Sequence, residues 1–388
     1  MSPQRRRLGA LVLAFALAGV ALVALQPARS RATADFTVLV SAGRLVLHGH
    51  ADRVYDQAWL APEIVRSASG AALDPRLPFN EPLAALLPFT ALAALPAGLA
   101  LRIWQAVSLL LMLAALMALQ SAAPLGRRAP LMGMIALAAS APAWSLLLEG
   151  QVSAMVLLGA GLMVVALLRS RPMIALPAAA LLAAKPQYLL PYLVVLLALR
   201  RPRALLAAVA GGGAVLMSPL IAGGLPALQA MVHNALSTDQ VTPVRLSESW
   251  AGLLAAVLPA SLQTPAALAV LGGAMLAVLA FGLARRTDPL PLLAGASWVG
   301  VLASPHCLPH DLVLLAVPTW CAAALNRQAR LASPVFGVIA SDLAVLLDEL
   351  HPGLPMAPLV MTVVLAVYAV GFRRRSSPAA LDSSPAAA

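Results

Sequence analysis

Long apolar runs separated by short arginine clusters organise this chain. The clusters are Arg5, Arg6 and Arg7; Arg127 and Arg128; Arg169 and Arg171; Arg200, Arg201 and Arg203; Arg285 and Arg286; Arg327 and Arg330; and Arg373, Arg374 and Arg375. Arginine flanking apolar spans stays on the cytoplasmic side of a membrane. With all seven clusters cytoplasmic, each interval between them must hold an even number of crossings. The pattern then predicts helical hairpins at residues 131–148 with 152–168, 173–184 with 187–199, 289–303 with 311–325, and 332–349 with 356–372. Their tips read "EGQ", "KPQ", "SPHCLPH" and "HPGLP". Residues 83–98 read as a re-entrant or surface helix before a span at 101–121, and 249–260 as a half helix before a span at 265–284. The expectation is an all-α polytopic bundle of about 12 transmembrane helices with both ends cytoplasmic, forming one domain over residues 1–372.

The segment "LPAAALLAAKPQYLLPYLVVLLALR", residues 176–200, shows why parity matters. One continuous helix would put Arg171 and Arg200 on opposite sides. Two short spans broken at Lys185-Pro186 keep both inside. Each has only about a dozen apolar residues, fewer than the roughly 17–25 of a straight lipid-exposed crossing. Helices so short are tolerated where protein encloses them or a cavity borders them.

The N-terminal residues "MSPQRRRLGALVLAFALAGVALVALQPARSRATAD" resemble a secretory signal, with a basic start and "ATA" before Asp35. The apolar run at 8–25 spans 18 residues, longer than the roughly 7–15 of a signal core, so an uncleaved first helix is expected. Residues 26–82 then form the first extracytoplasmic loop, where Phe36, Leu39, Val40, Val46 and Leu47 recur at helical spacing and predict an amphipathic surface helix. A second extracytoplasmic loop is expected within 223–264. Residues 373–388 form a polar, disordered cytoplasmic tail.

Composition agrees. Hydrophobic residues make up 61% of the 388 and charged residues 11%, against roughly 45–50% and about 25% in soluble domains. Mean hydropathy is +0.89. The net charge of +11 is spread between apolar runs and argues for bilayer contact, with no nucleic-acid partner. Two cysteines, Cys307 and Cys321, give no disulfide framework. Of 26 Lys+Arg, Lys185 is the only lysine.

Parity also places Asp35, Glu149, Gln151, Lys185, His306, His310 and Asp311 together at extracytoplasmic tips or helix ends. Ionisable groups at membrane level are costly and face a cavity or a partner. One shared cavity is the economical reading, although Asp35 and Asp311 could be helix caps, Glu149 and Gln151 ordinary turn residues, and Lys185 a snorkelling side chain. A compact ammonium suits a phosphate oxygen, with Arg44, Arg53, Arg76 and Arg245 as possible companions. The spacing of His306 and His310 could hold zinc, but Pro309 between them argues against one helix presenting both, so no metal is expected. No Walker loop, dinucleotide fingerprint or HExxH motif is present, and no cofactor is expected. Any chemistry must use a lipid-borne substrate at the membrane face. A transporter or flippase would also show short helices and intramembrane charges, but it would place its site at the midplane between repeats.

The order "ADFTVLVSAGRLVLHGHADRVYD", "PFNEPLAALLPFTALAALP", "EGQVSAMVLL", "AAKPQYLLP" and "ASPHCLPHDLVLLAVP" resembles glycosyltransferase family 87, whose members are integral-membrane GT-C enzymes. The resemblance runs over roughly residues 33–320 and extends to bacterial polyprenol-phosphate-mannose-dependent α-mannosyltransferases of cell-envelope glycolipid biosynthesis. It departs from the family at "PFNEPL", where Glu81 stands in place of a frequent aromatic residue. The resemblance implies a polyprenyl-phosphate sugar donor, a lipid-linked or envelope glycan acceptor, and inverting transfer on the extracytoplasmic face of the inner membrane. By position, Asp35 would be the general base. Lys185, His306, His310 and Arg245 would bind the donor phosphate, and Glu149, Gln151, Asp311 and Arg44 the substrate.

Overall fold

The computed structural model describes residues 33–68, 73–237, 247–285 and 288–325, with isolated positions elsewhere. The expected first helix at 8–25, the last hairpin, the C-terminal tail and Arg245 lie outside those stretches. Among the described residues every regular element is helical. In chain order the helices are α1 (Ala34–Leu47), α2 (Gln57–Ala68), α3 (Leu87–Leu92), α4 (Ala97–Ala122), α5 (Ala129–Ala138), α6 (Ala141–Glu149), α7 (Ser153–Leu168), α8 (Ala175–Leu182), α9 (Leu190–Ala198), α10 (Pro202–Leu216), α11 (Ser218–Ser237), α12 (Trp250–Ala255), α13 (Ala260–Arg285), α14 (Pro289–Leu302) and α15 (Ala316–Leu325). Short 3-10 turns precede α3, α8, α9 and α15.

Among the described residues, Ala97–Ala122 and Ala260–Ala284 are each long and apolar enough to cross a membrane, and two bent pairs raise that number to four. The protein is therefore a membrane protein. The remaining apolar helices have 10–17 residues, as expected of hairpins enclosed by neighbours. Their backbones approach closely through glycine. A Cβ at Gly159 of α7 would lie 2.8 Å from the Ala178 carbonyl oxygen of α8, and one at Gly161 would lie 3.0 Å from that of Ala115 in α4. Small residues at such crossings replace the hydrophobic drive that lipid cannot supply.

Three expectations change. Residues 131–148 do not form one span: α5 and α6 meet at 71°. Ser140 starts α6 anew by accepting a bond from Ala143 N–H, and Pro142 occupies its first turn. The loop expected within 223–264 is largely helical: it holds the end of α11, kinked by non-helical Gly223 and Gly224, all of α12 and the start of α13. The third change concerns α1, which forms where its spacing predicts but is buried on nearly every side, from Phe36 through Gly43 and at Leu45. Its polar residues are satisfied internally. Thr37 donates to the Thr33 carbonyl and Ser41 to the Ser67 hydroxyl of α2 at 3.0 Å. The helix with one buried face is α2, which covers Leu60, Glu63, Ile64 and Ala68 while Trp59 and Val65 stay exposed.

An aromatic stack fixes the start of α1. Phe36 meets Phe89 edge-on at 6.2 Å, and Phe89 meets Trp104 at 4.5 Å. The Trp104 indole donates to the Gly150 carbonyl at 2.8 Å, and Gln105 donates to Leu147 O at 2.9 Å. Helix α4 thereby clamps the α6–α7 turn against α1. Gly150 ends α6 with φ of 66°, a conformation that favours glycine, and a Cβ there would lie 2.7 Å from the Phe36 Cβ. Gly150→Ala is expected to lower stability by about 2 kcal/mol or more, from the left-handed backbone and the overlap together. A thermal melt of the detergent-solubilised protein that matches wild type would overturn this account of the turn.

Candidate active site

Four chain breaks converge: the start of α1, the α6–α7 turn, the α8–α9 break at Lys185, and the 3-10 segment Pro309–Leu315. Their centre is Lys185. Its ammonium lies 2.6 Å from Asp311 Oδ1 and 3.1 Å from His310 Nε2. Lys185 is 9% exposed, while His310 and Asp311 are fully buried. The sequence left open whether Lys185 snorkels to the lipid interface. It instead turns inward, because a buried ammonium needs a counter-charge and Asp311 supplies it.

Asp311 is held from several directions. Ser153 at the start of α7 donates to its Oδ1 at 2.6 Å, and Leu308 N–H donates to Oδ2 at 3.3 Å. This local bond tightens the segment into a 3-10 helix seven residues long, beyond the three or four typical of that form.

The hydrogen bonds also fix the histidine tautomer. An ammonium can only donate, so His310 Nε2 must accept. The imidazole proton is then on Nδ1, which lies 2.6 Å from Glu149 Oε2. The other oxygen of Glu149 accepts from the Ser145 hydroxyl one turn earlier in α6. A relay runs from Lys185 through His310 to Glu149.

Asp35 completes the centre. Gln151 Nε2 donates to its Oδ2 at 2.6 Å, which turns the carboxylate toward Glu149. Burial raises the Asp35 carboxyl above the usual aspartate range, and the Glu149 charge raises it further. The Gln151 bond and the Lys185 charge oppose the rise only in part. Asp35, Glu149 and His310 bring possible ligand atoms within 4.8 Å of one another. A metal there would have to displace the Nδ1 proton that His310 gives to Glu149.

The six residues Asp35, Glu149, Gln151, Lys185, His310 and Asp311 are thus brought together as expected from the sequence. Others are not. Arg44 lies nine residues along α1 from Asp35, about 13 Å away, and donates to the Ser67 hydroxyl at 2.9 Å and the Ala93 carbonyl at 3.4 Å. Its place is a structural tie between α1, α2 and the end of α3. Arg53 and Arg76 pair within their own loops, with Asp52 and Asp74. His306 offers its backbone carbonyl to Gln187 Nε2 at 3.2 Å, bracing the histidine tip against the Lys185 turn. Ser247 braces the same tip by accepting from Cys307 N–H at 2.8 Å.

Glu81 is coupled electrostatically to the centre although its motif reads only as a departure. Burial raises its carboxyl above the usual range, and Lys185 and Asp35 both act on it electrostatically, the first lowering and the second raising. The signal that could have found it is an acid flanked by Asn80 and Pro82 in an otherwise apolar stretch. With Glu81, the Lys185 ammonium acts electrostatically on four carboxylates.

Residues 79–309 match glycosyltransferase family 87. The chain belongs to glycosyltransferase family 87. It is therefore a glycosyltransferase, acting on a sugar donor and an acceptor. The matched region of this family 87 enzyme contains Glu81, Glu149, Gln151, Lys185 and His306, whereas Asp35 precedes it and His310 and Asp311 follow immediately. No curated protein matches the chain, and no solved structure does.

Breaking the central ion pair gives a direct test. Lys185→Met strands a buried carboxylate and is expected to cost about 3–5 kcal/mol, read as a lowered melting temperature in nanodiscs. Lys185→Met with Asp311→Leu should recover most of that loss. A single variant as stable as wild type would show that the pair does not hold the breaks together.

Proposed function

We propose that this family 87 enzyme moves a sugar, mannose in the first instance, from a polyprenyl-phosphate donor to a glycolipid or envelope-glycan acceptor. The site faces the extracytoplasmic side of a bacterial inner membrane, and transfer proceeds with inversion. The observation that carries the reading is the Asp35 carboxylate, half-buried at the junction of four chain breaks and oriented by Gln151 at 2.6 Å. A carboxyl group so raised and so oriented is suited to general-base work.

In this reading Asp35 removes the proton of the acceptor hydroxyl as that oxygen attacks the anomeric carbon. The new carbon–oxygen bond forms as the bond to the donor phosphate oxygen breaks, and polyprenyl phosphate leaves with the electron pair. The leaving group is already anionic, so it needs electrostatic stabilisation more than a proton. Lys185 supplies that from the floor of the site. Two of its three N–H donors go to Asp311 and His310, and the third remains for a phosphate oxygen. Arg245, two residues before the Ser247 brace, is the second cation. Glu149, held as an acceptor by His310 and Ser145, and Glu81 bind sugar hydroxyls. Arg44 has no role at the substrate.

The test is transfer of tritiated mannose from synthetic polyprenyl-phosphate mannose into a lipid extract, in membranes with matched protein levels. Wild type should label a glycolipid, and Asp35→Asn should be slower by about 100-fold or more. Label unchanged in Asp35→Asn would remove Asp35 as the base. No transfer from any polyprenyl-phosphate sugar would remove the donor class.

The pH profile provides a second outcome. Asp35 works only when ionised, and burial with the Glu149 charge raises its pKa. The rate should therefore fall as pH drops through that raised value, above the range of an exposed aspartate. Glu149→Gln removes the repelling charge and should move this acid limb to lower pH. A limb that moves up or stays fixed would contradict the coupling.

A further inference from the structure

A second charged region lies at the end of α7 remote from Ser153. Helix α7 has 16 residues, so this region is about 24 Å from the transfer centre. Two turns of one backbone design meet there. After α7 comes Ser170 with φ of 51°, and after α9 comes Arg200 with φ of 52°. Arg171 N–H donates to the Ala166 carbonyl at 3.0 Å, and Arg201 N–H to that of Leu196 at 2.9 Å. Both helices are thus closed by the same left-handed cap, and a proline follows each, Pro172 and Pro202.

Packing brings the turns to one face. Pro172–Ile174 packs against α10. Helices α8 and α10 approach so closely that a Cβ at Gly211 would lie 2.1 Å from the Leu176 carbonyl oxygen. The turn after α4 joins them, because Arg169 donates to the Ser121 carbonyl at 2.9 Å.

The charge of this face is of one sign. Residues 121–131, 168–176 and 197–207 hold seven arginines and no acid. All seven are exposed, and none pairs with a carboxylate among the described residues. Charges of one sign held so close repel one another, and counter-charge must come from outside the chain. Apolar side chains border the same turns. Met173 is 69% exposed, Leu206 70% and Leu197 52%, each within three residues of an arginine.

That combination selects the ligand. A soluble anion would meet the guanidinium groups and leave the apolar side chains in water, and a polyanionic peptide would do the same. A phospholipid meets both, with phosphate on arginine and acyl chain on the apolar border. The guanidinium fork also matches phosphate oxygens two at a time. We propose that this face binds anionic phospholipid of the leaflet opposite the transfer centre, with Arg171, Arg201 and Arg203 holding the phosphate. Because closed turns fix these arginines in place, the preference follows position and not net charge. It is independent of the transfer chemistry.

Native mass spectrometry of the full chain, loaded with equal amounts of phosphatidylglycerol and phosphatidylcholine, reads the lipids retained. Wild type should keep phosphatidylglycerol in about fivefold excess or more. Arg203→Gln should lower that excess about fivefold, and Arg171→Gln with Arg201→Gln and Arg203→Gln should abolish it. The same triple change at Arg53, Arg66 and Arg76 removes equal charge and should leave the excess intact. Equal retention of both lipids by wild type overturns the proposal, and so does equal loss in the two triple variants. Thermal melts in detergent identify the occupant. Phosphatidylglycerol should raise the wild-type Tm, whereas its chain-free headgroup, glycerophosphoglycerol, should not. Equal shifts from both overturn the lipid in favour of a soluble anion, and polyglutamate that displaces bound phosphatidylglycerol overturns it in favour of an acidic protein.

Discussion

The contact on which the centre depends is the 2.6 Å pairing of Lys185 with Asp311. Both groups are withdrawn from water, and neither could be so alone, because an unpaired buried charge costs several kcal/mol. The pair therefore couples two chain breaks distant in sequence, and each break supplies further groups. From the Lys185 side come the short helices α8 and α9, and from the Asp311 side come the 3-10 segment and His310. Ser153 joins α7 to the pair, and His310 carries the connection on to Glu149 and so to α6. The local geometry of five elements is set by one charge and its counter-charge.

Short, broken helices and buried polar groups are two views of one arrangement here. A helix end leaves backbone groups unpaired, which is expensive in an apolar surround. The ends that meet at Lys185 turn this cost to use, since their termini carry the side chains that need one another. The aromatic stack of Phe36, Phe89 and Trp104 works from the other direction. It holds the start of α1 against Gly150 by ring contacts and the Trp104 bond to the Gly150 carbonyl, and so leaves Asp35 free to bond Gln151.

Much of the plan was legible from arginine positions. The rule that positive charge stays on one side broke residues 176–200 at Lys185 and put six of the converging residues at one level. What sequence could not show was pairing. Lys185 read as a cation for phosphate because its partner lies 126 residues away, beyond any local pattern. Helix α1 read as amphipathic because Phe36, Leu39, Val40, Val46 and Leu47 recur at helical spacing, with the polar Thr37, Ser41 and Arg44 between them. The bonds of Ser41 and Arg44 to Ser67 and Ala93 exist only once the neighbours are in place. Glu81 passed as a motif variation for the same reason, the charges that act on it being those of Lys185 and Asp35. The bend at Ser140 was visible in principle, since Ser140 followed by Pro142 is a helix-start signal inside an apolar run, and hydropathy outweighed it.

The singular lysine has a consequence for how this chain tolerates change. Every other Lys or Arg position in it is arginine. At residue 185 the two acceptors, Asp311 Oδ1 and His310 Nε2, stand 3.7 Å apart, and both point at one nitrogen. A tetrahedral ammonium serves two such acceptors from a single atom, whereas a planar guanidinium spreads its donors over a fork. The compositional drift that favours arginine elsewhere meets a geometric veto at this one atom, so the rarest residue in the sequence marks the place where shape, and not charge alone, is under constraint.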